Sequence, residues 1–488
     1  MQSLMFNVHD LTVLLPENFL LLATCAILFI DLFLKQSQRN ITHWLSIATL
    51  LATIALILSD HEPDVRAFNG MYVHDGIAEI LKVFILGVVA AVFVYARPYL
   101  RDRGIHIGEF YLLALFATLG MMLLVSAGNL VMVYLGLELL TLSSYALVAL
   151  NRDSGLSSEA AMKYFVLGAM ASGMLLYGMS MIYGAAGTLD LPKIHALVSL
   201  AAGSDHQLLL SFGLVFLVAG IAFKFGAAPF HMWLPDVYQG SPTAVTAFIG
   251  SAPKIAAFGM AYRLLEGGLG GLSPHWREML AVLAVLSLAV GNIFAIAQTN
   301  LKRMLAYSTI SHVGFLLLGL SNGSPSGYAA AMFYAIAYAI MSAAAFGAIL
   351  LLARAGFEAE EIDDFKGLNQ RNPWYAFVVM LVMASLAGVP PLFGFASKFM
   401  VLRAAIEGGM LWLALVAIVF AIIGMYYYLR VIKVMYFDAP PDGTVLALPQ
   451  DAPLRWLLSL NGAALLALGL FWGPLIAWCY SAFGVAAN

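Results

Sequence analysis

Charge is scarce in this chain. Asp, Glu, Lys and Arg make up 10% of its 488 residues, against roughly 25% in an ordinary soluble domain. With 62% hydrophobic residues and a mean hydropathy of +0.90, that scarcity excludes a soluble enzyme and implies a multi-pass membrane protein. The net charge is −3 and no basic run interrupts the apolar stretches, so a nucleic acid finds no electrostatic footprint. Cysteine is scarcer still, with Cys25 and Cys479 alone near opposite ends. Without a CxxC or a Cys/His cluster, no iron–sulfur, zinc or other metal site is encoded. No GxGxxG or GxxxxGK[ST] loop follows a strand pattern, which argues against a nucleotide-driven pump or a dinucleotide site in this chain. A basic segment before the first apolar stretch is also missing, so a retained first helix is expected rather than a cleaved signal.

What fills the chain is a succession of apolar stretches, each near the ~20 residues that cross a bilayer. Fourteen spans are expected, at 12–33, 41–59, 76–96, 108–127, 129–150, 162–186, 208–228, 243–265, 277–298, 300–320, 327–354, 373–393, 410–434 and 457–480. Short helical pieces are expected at the breaks 229–240 and 393–406. The longest polar connections, 187–207 and 355–372, suggest no soluble domain, so the fold class is a single all-α polytopic membrane domain. Of the 24 Lys and Arg, 14 lie at ends that become inner if the N-terminus is outside, five at outer ends and five within spans. Positive charge stays inside, so both termini are expected in the outer compartment.

An internal echo accompanies the breaks. Gly226-Ala-Ala-Pro229-Phe230 recurs as Gly388-Val-Pro390-Pro391-Leu392, and nearly the same spacing separates Glu138 from Lys302. Three helices in 1–107, a five-helix unit in 108–265, a second in 277–434 and a last helix at 457–480 would give this spacing. Five is odd, so the second unit would be inverted, with broken helices 7 and 12, an architecture that recurs in transporters. Chance recurrence in a Gly-rich chain is the alternative.

Glu138, Lys224, Lys254 and Lys398 lie inside or beside breaks in long apolar stretches. A charge at the bilayer centre costs at least ~2.5 kcal/mol. Glu138 is midway along the fifth span and must be protonated or paired across helices; a packing strut is the alternative. Lys224 comes one turn before Pro229, which frees backbone carbonyls that need partners. A Glu138–Lys224 pair would tune that lysine for proton exchange. Lys254 follows Pro253 at the centre of the eighth span. Lys398 follows Pro390-Pro391, with snorkelling to an interface as its competing reading. Lys163 and Lys302 start spans, where anchoring on the inner side competes with function. His231 and His312 titrate near neutral pH when unperturbed, yet each also reads as a satisfied core histidine. Glu79 and Lys82 share a helix face and would neutralise each other. The run Glu358–Asp364 reads as a solvated inner loop.

The stretch Lys224-Phe-Gly-Ala-Ala-Pro-Phe-His-Met-Trp-Leu-Pro-Asp-Val-Tyr-Gln-Gly-Ser-Pro-Thr resembles the signature of the antiporter-like membrane subunits of respiratory complex I. So does Asn300-Leu-Lys-Arg-Met-Leu-Ala-Tyr-Ser-Thr-Ile-Ser-His-Val-Gly. The resemblance covers essentially the whole chain, and the superfamily includes Mrp-type cation/proton antiporters. Three features single out one member: the Ser-Ala-Pro-Lys254 form, Lys398 where subunit M is expected to carry glutamate, and no room for the long lateral helix of subunit L. The resemblance implies a proton path through Glu138, Lys224, Lys254 and Lys398, with Lys163 and Lys302 as matched lysines. His231 and His312 lie inside the matched motifs with less defined roles. It also implies a bacterial inner membrane, subunits M and K as neighbours, and lipid around the chain. FMN, iron–sulfur clusters, NADH and quinone would be held by other subunits, leaving no cofactor here. A Na⁺/H⁺ antiporter subunit of the Mrp type is the alternative.

Overall fold

The computed structural model describes residues 8–35, 38–59, 64–105, 107–200, 206–440 and 451–485. Thirteen helices among them are long and apolar enough to cross a membrane. They correspond to every expected span except the twelfth, where Pro373–Ala387 is apolar but 15 residues long. That helix stops at Gly388, and Phe393–Glu407 continues after the break.

Several boundaries differ from expectation. The sixth helix begins at Gly155, because the Ser154 side chain accepts from the Ser157 amide and caps a polar first turn that hydropathy alone trims away. The last stretch is two helices, Ala452–Leu470 and Gly473–Ser481. The eighth span also breaks, between Thr243–Ile249 and Ala252–Leu265. A short antiparallel hairpin, Val65–Ala67 with Tyr72–His74, breaks the otherwise helical pattern.

Burial sorts the helices into core and rim. Thr243–Leu265 is buried throughout its most apolar window, and Leu301–Ser321 and Pro325–Leu352 are 94% buried there. The helices Gly155–Ala186 and Leu411–Phe437 fall to 33%, with their remaining apolar side chains turned outward. The isolated chain therefore places Thr243–Leu265, Leu301–Ser321 and Pro325–Leu352 at the centre.

Two backbone contacts recur further along the chain. Asn129 bridges Asp190, and Asn300 bridges Glu361. Leu130 N donates to Leu189 O, and Leu301 N donates to Glu360 O. One and the same displacement along the chain carries Asn129 to Asn300, Leu130 to Leu301, Leu189 to Glu360 and Asp190 to Glu361. This register sets Thr309, and not Lys302, opposite Glu138. Lys302 lies at the start of its helix, whereas Glu138 lies two turns into its own.

One further expectation is corrected. Lys82 pairs with Glu17 at 2.6 Å and donates to Tyr72 Oη at 2.6 Å, both buried, so its partner comes from the first span instead of Glu79. The acidic run keeps exposed members, Asp363 at 71% among them, but is also tied to neighbouring helices. Glu358 binds Arg103 at 2.8 Å and Tyr99 at 2.9 Å, while Glu360 lies 3.6 Å from Lys302.

Candidate functional site

The site is built on the two broken helices. Gln207–Phe225 ends at Gly226 with φ +77°, and Pro373–Ala387 ends at Gly388 with φ +87°. Glycine adopts this left-handed turn at little cost. In each, the next amide also turns back: Ala227 N to Ala222 O, and Val389 N to Ala384 O. Ala228–Pro229 and Pro390–Pro391 are both cis.

A break leaves carbonyls that lipid cannot satisfy, and here buried lysines take them. Lys254 Nζ donates to Phe225 O at 2.8 Å. Lys398 Nζ donates to Leu386 O at 3.0 Å and Ala387 O at 2.9 Å. Phe225 and Ala387 are the last helical residues before their respective glycines. Each ammonium also faces an aromatic ring, Trp233 for Lys254 at 5.5 Å and Phe315 for Lys398 at 5.3 Å. Such cation–π contacts help hold a charge away from water.

Lys224 is different. It is buried, yet among the described residues its ammonium makes no hydrogen bond or ion pair. It lines a cavity of ≈ 20 Å³ together with Tyr145, Tyr164 and Trp233, enough for about one water. Glu138 Oε1 is buried without a hydrogen-bond partner. The expected Glu138–Lys224 ion pair is therefore not formed within 4.0 Å, although Leu137 and Thr141, the neighbours of Glu138 on its helix, line the cavity beside Lys224.

Lys302 is buried and donates to Ser241 O at 2.8 Å, satisfying the carbonyl where Trp233–Gly240 ends. Lys163 lies outside the buried row. Its side chain is 43% exposed and pairs with Glu159 and Asp236, both at 2.8 Å. His231 lies at the first break with Nδ1 buried and unpartnered. His312 is clamped, with Nδ1 2.6 Å from Tyr334 Oη and Nε2 3.1 Å from Tyr428 Oη. Tyr428 in turn contacts Ser308.

Sequence reading missed Asp236, Trp233 and Arg303. Asp236 joins Lys163 to Arg303, which binds it at 2.8 Å. The available signal was a Trp and an Asp packed between Pro229 and Pro242 in a segment too short for a span.

Broken helices whose freed carbonyls are held by buried lysines set charged groups inside a membrane protein of the antiporter-like class. The comparisons agree. Residues 127–424 match the model of the NADH:quinone oxidoreductase/Mrp antiporter transmembrane family, and residues 1–93 match that of the NAD(P)H-quinone oxidoreductase subunit 2 N-terminal region. NADH-quinone oxidoreductase subunit N of Xanthomonas euvesicatoria pv. vesicatoria is 58% identical over 97% of this chain and 96% of its own. A chain of respiratory complex I from Thermus thermophilus with bound aureothin is 32% identical, with a TM-score of 0.80 over 94% of this chain and 98% of that one. A chain of the Mrp complex from Dietzia sp. shares the fold, with a TM-score of 0.80 over 98% of this chain and 97% of its own, at 21% identity. The chain belongs to the subunit N family of NADH-quinone oxidoreductase.

Proposed function

We propose that this chain is a proton-translocating subunit in the membrane arm of NADH-quinone oxidoreductase, exporting protons as electrons pass from NADH to quinone in other subunits. The observation that carries the reading is the paired arrangement at Phe225 and Ala387, where a buried lysine replaces water as the partner of a freed carbonyl. Lys224 receives a proton from the inner side through water at the first break, with Glu138 tuning it. It passes the proton to Lys254, which hands it through His312 to Lys398 for release outside. Lys302 and His231 flank the inner half of this route, and Lys163 stands at its mouth.

The displaced hydrogen bonds support two inverted units, 108–265 and 277–434, after an N-terminal group in 1–107 and before a helix in 457–480. The distribution of Lys and Arg supports both termini on the outer face of a bacterial inner membrane. Subunits M and K are the proposed neighbours, and FMN and iron–sulfur clusters belong to partner subunits. Subunit N relatives match nearly end to end, at 58% and 53% identity for two of them, which favours this reading over an Mrp antiporter.

The test uses the assembled complex in liposomes. Glu138→Gln combined with Lys224→Ala should lower the protons moved per NADH oxidised. A ratio equal to the parent's would sink the proton path and leave the charges as packing struts.

A further inference from the structure

Trp233 touches both lysines between which the proposed path must pass a proton. It is 3% exposed. It lines the cavity that holds Lys224, and Lys254 is not part of that cavity's wall. Lys254 Nζ lies over the indole instead, 5.5 Å from the ring. The indole N–H donates to Phe223 O at 3.0 Å, so Trp233 grips the backbone just before Lys224. Tyr164 stacks on it at 4.7 Å and 11°.

The helix that carries Trp233 is eight residues, Trp233–Gly240, with a break at each end. Besides the Trp233 indole bond and the Thr246 hydroxyl that donates to Tyr238 O, its polar tethers come from cations. Asp236 is held by Lys163 and Arg303, each at 2.8 Å. Lys302 holds Ser241 O just past its C-terminal end, and Lys254 faces its first residue. Part of the hold on this segment is electrostatic, so changing one charge changes it.

We propose that Trp233 is a valve between Lys224 and Lys254, closed while Lys254 is charged. The argument rests on the proton path above. A cation–π attraction needs the cation, worth ~2 kcal/mol when desolvated. When Lys254 gives its proton onward, its NH₃⁺ becomes NH₂ and the attraction to the indole is lost. The freed indole lets water from the Lys224 cavity reach Lys254. Lys224 then passes its proton across, becoming NH₂ as Lys254 becomes NH₃⁺, and the indole is drawn back. Return of the proton is blocked at the moment it would be most favourable. Trp233 thereby acts as a positioning residue that gives the transfer a direction.

The experiment measures protons moved per NADH oxidised by the reconstituted complex, a ratio that slower turnover alone does not move. Trp233→Leu, which removes the ring face, should lower the ratio, and Trp233→Phe, which restores one, should recover it. Equal ratios in Trp233→Leu and the parent overturn the valve, and so do equal losses in the Leu and Phe variants, which mean packing alone. If Trp233→Leu does not assemble, Asp236→Asn decides: a lowered ratio supports the valve, and a parental ratio overturns it. Lys224→Ala is measured alongside. A parental ratio there overturns the proton path itself; a lowered ratio beside a parental Trp233→Leu overturns the valve alone.

Discussion

Lys398 reaches its carbonyls across the face of a glycine. A Cβ at Gly388 would lie 2.9 Å from Lys398 Cδ and 3.1 Å from its Nζ. The left-handed turn also costs a residue with a Cβ about 1–2 kcal/mol. Gly388→Ala is therefore expected to push the ammonium off Leu386 and Ala387 and to lower the protons moved per NADH. Gly409→Ala is the control, since Gly409 has φ +78° and nothing within 4 Å of its Cβ. If both variants give the same ratio, the lysine–carbonyl contact has no role in transport. At this scale the sequence was informative about cost and silent about partners. Glu138, Lys224, Lys254 and Lys398 stand out because a charge in an apolar run is expensive whatever it touches. That Lys82 meets Glu17, that Lys163 faces outward and that Trp233 lies under Lys254 depend on which helices pack together.

Single elements were legible where a residue forces the backbone. Pro229 and Pro391 mark the breaks of the seventh and twelfth spans because proline cannot continue a helix. The break in the eighth span carried the same signal in Pro253, one residue inside the Ala252–Leu265 helix, where proline starts a helix as readily as it ends one. The far end of that helix is tied to the third span. Arg263 binds Asp75 at 2.6 and 2.7 Å and Val125 O at 2.9 Å. Burial raises the Asp75 carboxyl, but the Arg263 charge and hydrogen bonds outweigh it and hold it below the ordinary carboxylate range. A lowered value means the tie is complete at neutral pH. Its contribution is lost only as pH falls through that lowered value. Asp75→Asn leaves a largely buried guanidinium without its counter-charge, a loss of ~3 kcal/mol for such pairs. A lower melting temperature of the purified complex at pH 7 is expected, with the difference from the parent shrinking in acid. An unchanged melting temperature would mean the tie contributes nothing to stability.

Across the whole molecule, two similar breaks were visible in the sequence, but the displacement at which backbone contacts recur was not. Five amino acids around a proline identify a corner, whereas register is set by where two helices touch, and those contacts are made by small residues of no chemical distinction. Gly120 faces the next helix so closely that a Cβ would lie 2.6 Å from Leu140 N and 2.8 Å from Gly136 O. Gly291, which the register of the repeat sets opposite Gly120, would meet Ser311 N and, at 2.7 Å, Tyr307 O. The same displacement takes Leu140 to Ser311 and Gly136 to Tyr307. Glu138 stands between the two contact residues of the first crossing, and Thr309 between those of the second. Overpacking a tight crossing costs about 1–3 kcal/mol even when the backbone can shift, and here the obstacle is backbone on both sides. Gly120→Val and Gly291→Val are each expected to reduce the amount of this chain that co-purifies with the complex, and by similar amounts. Gly87→Ala, with nothing within 4 Å of its Cβ, should co-purify as the parent does. Parental recovery of Gly291→Val beside a loss in Gly120→Val would mean that the two halves, though alike in backbone, are not equivalent in what holds them together.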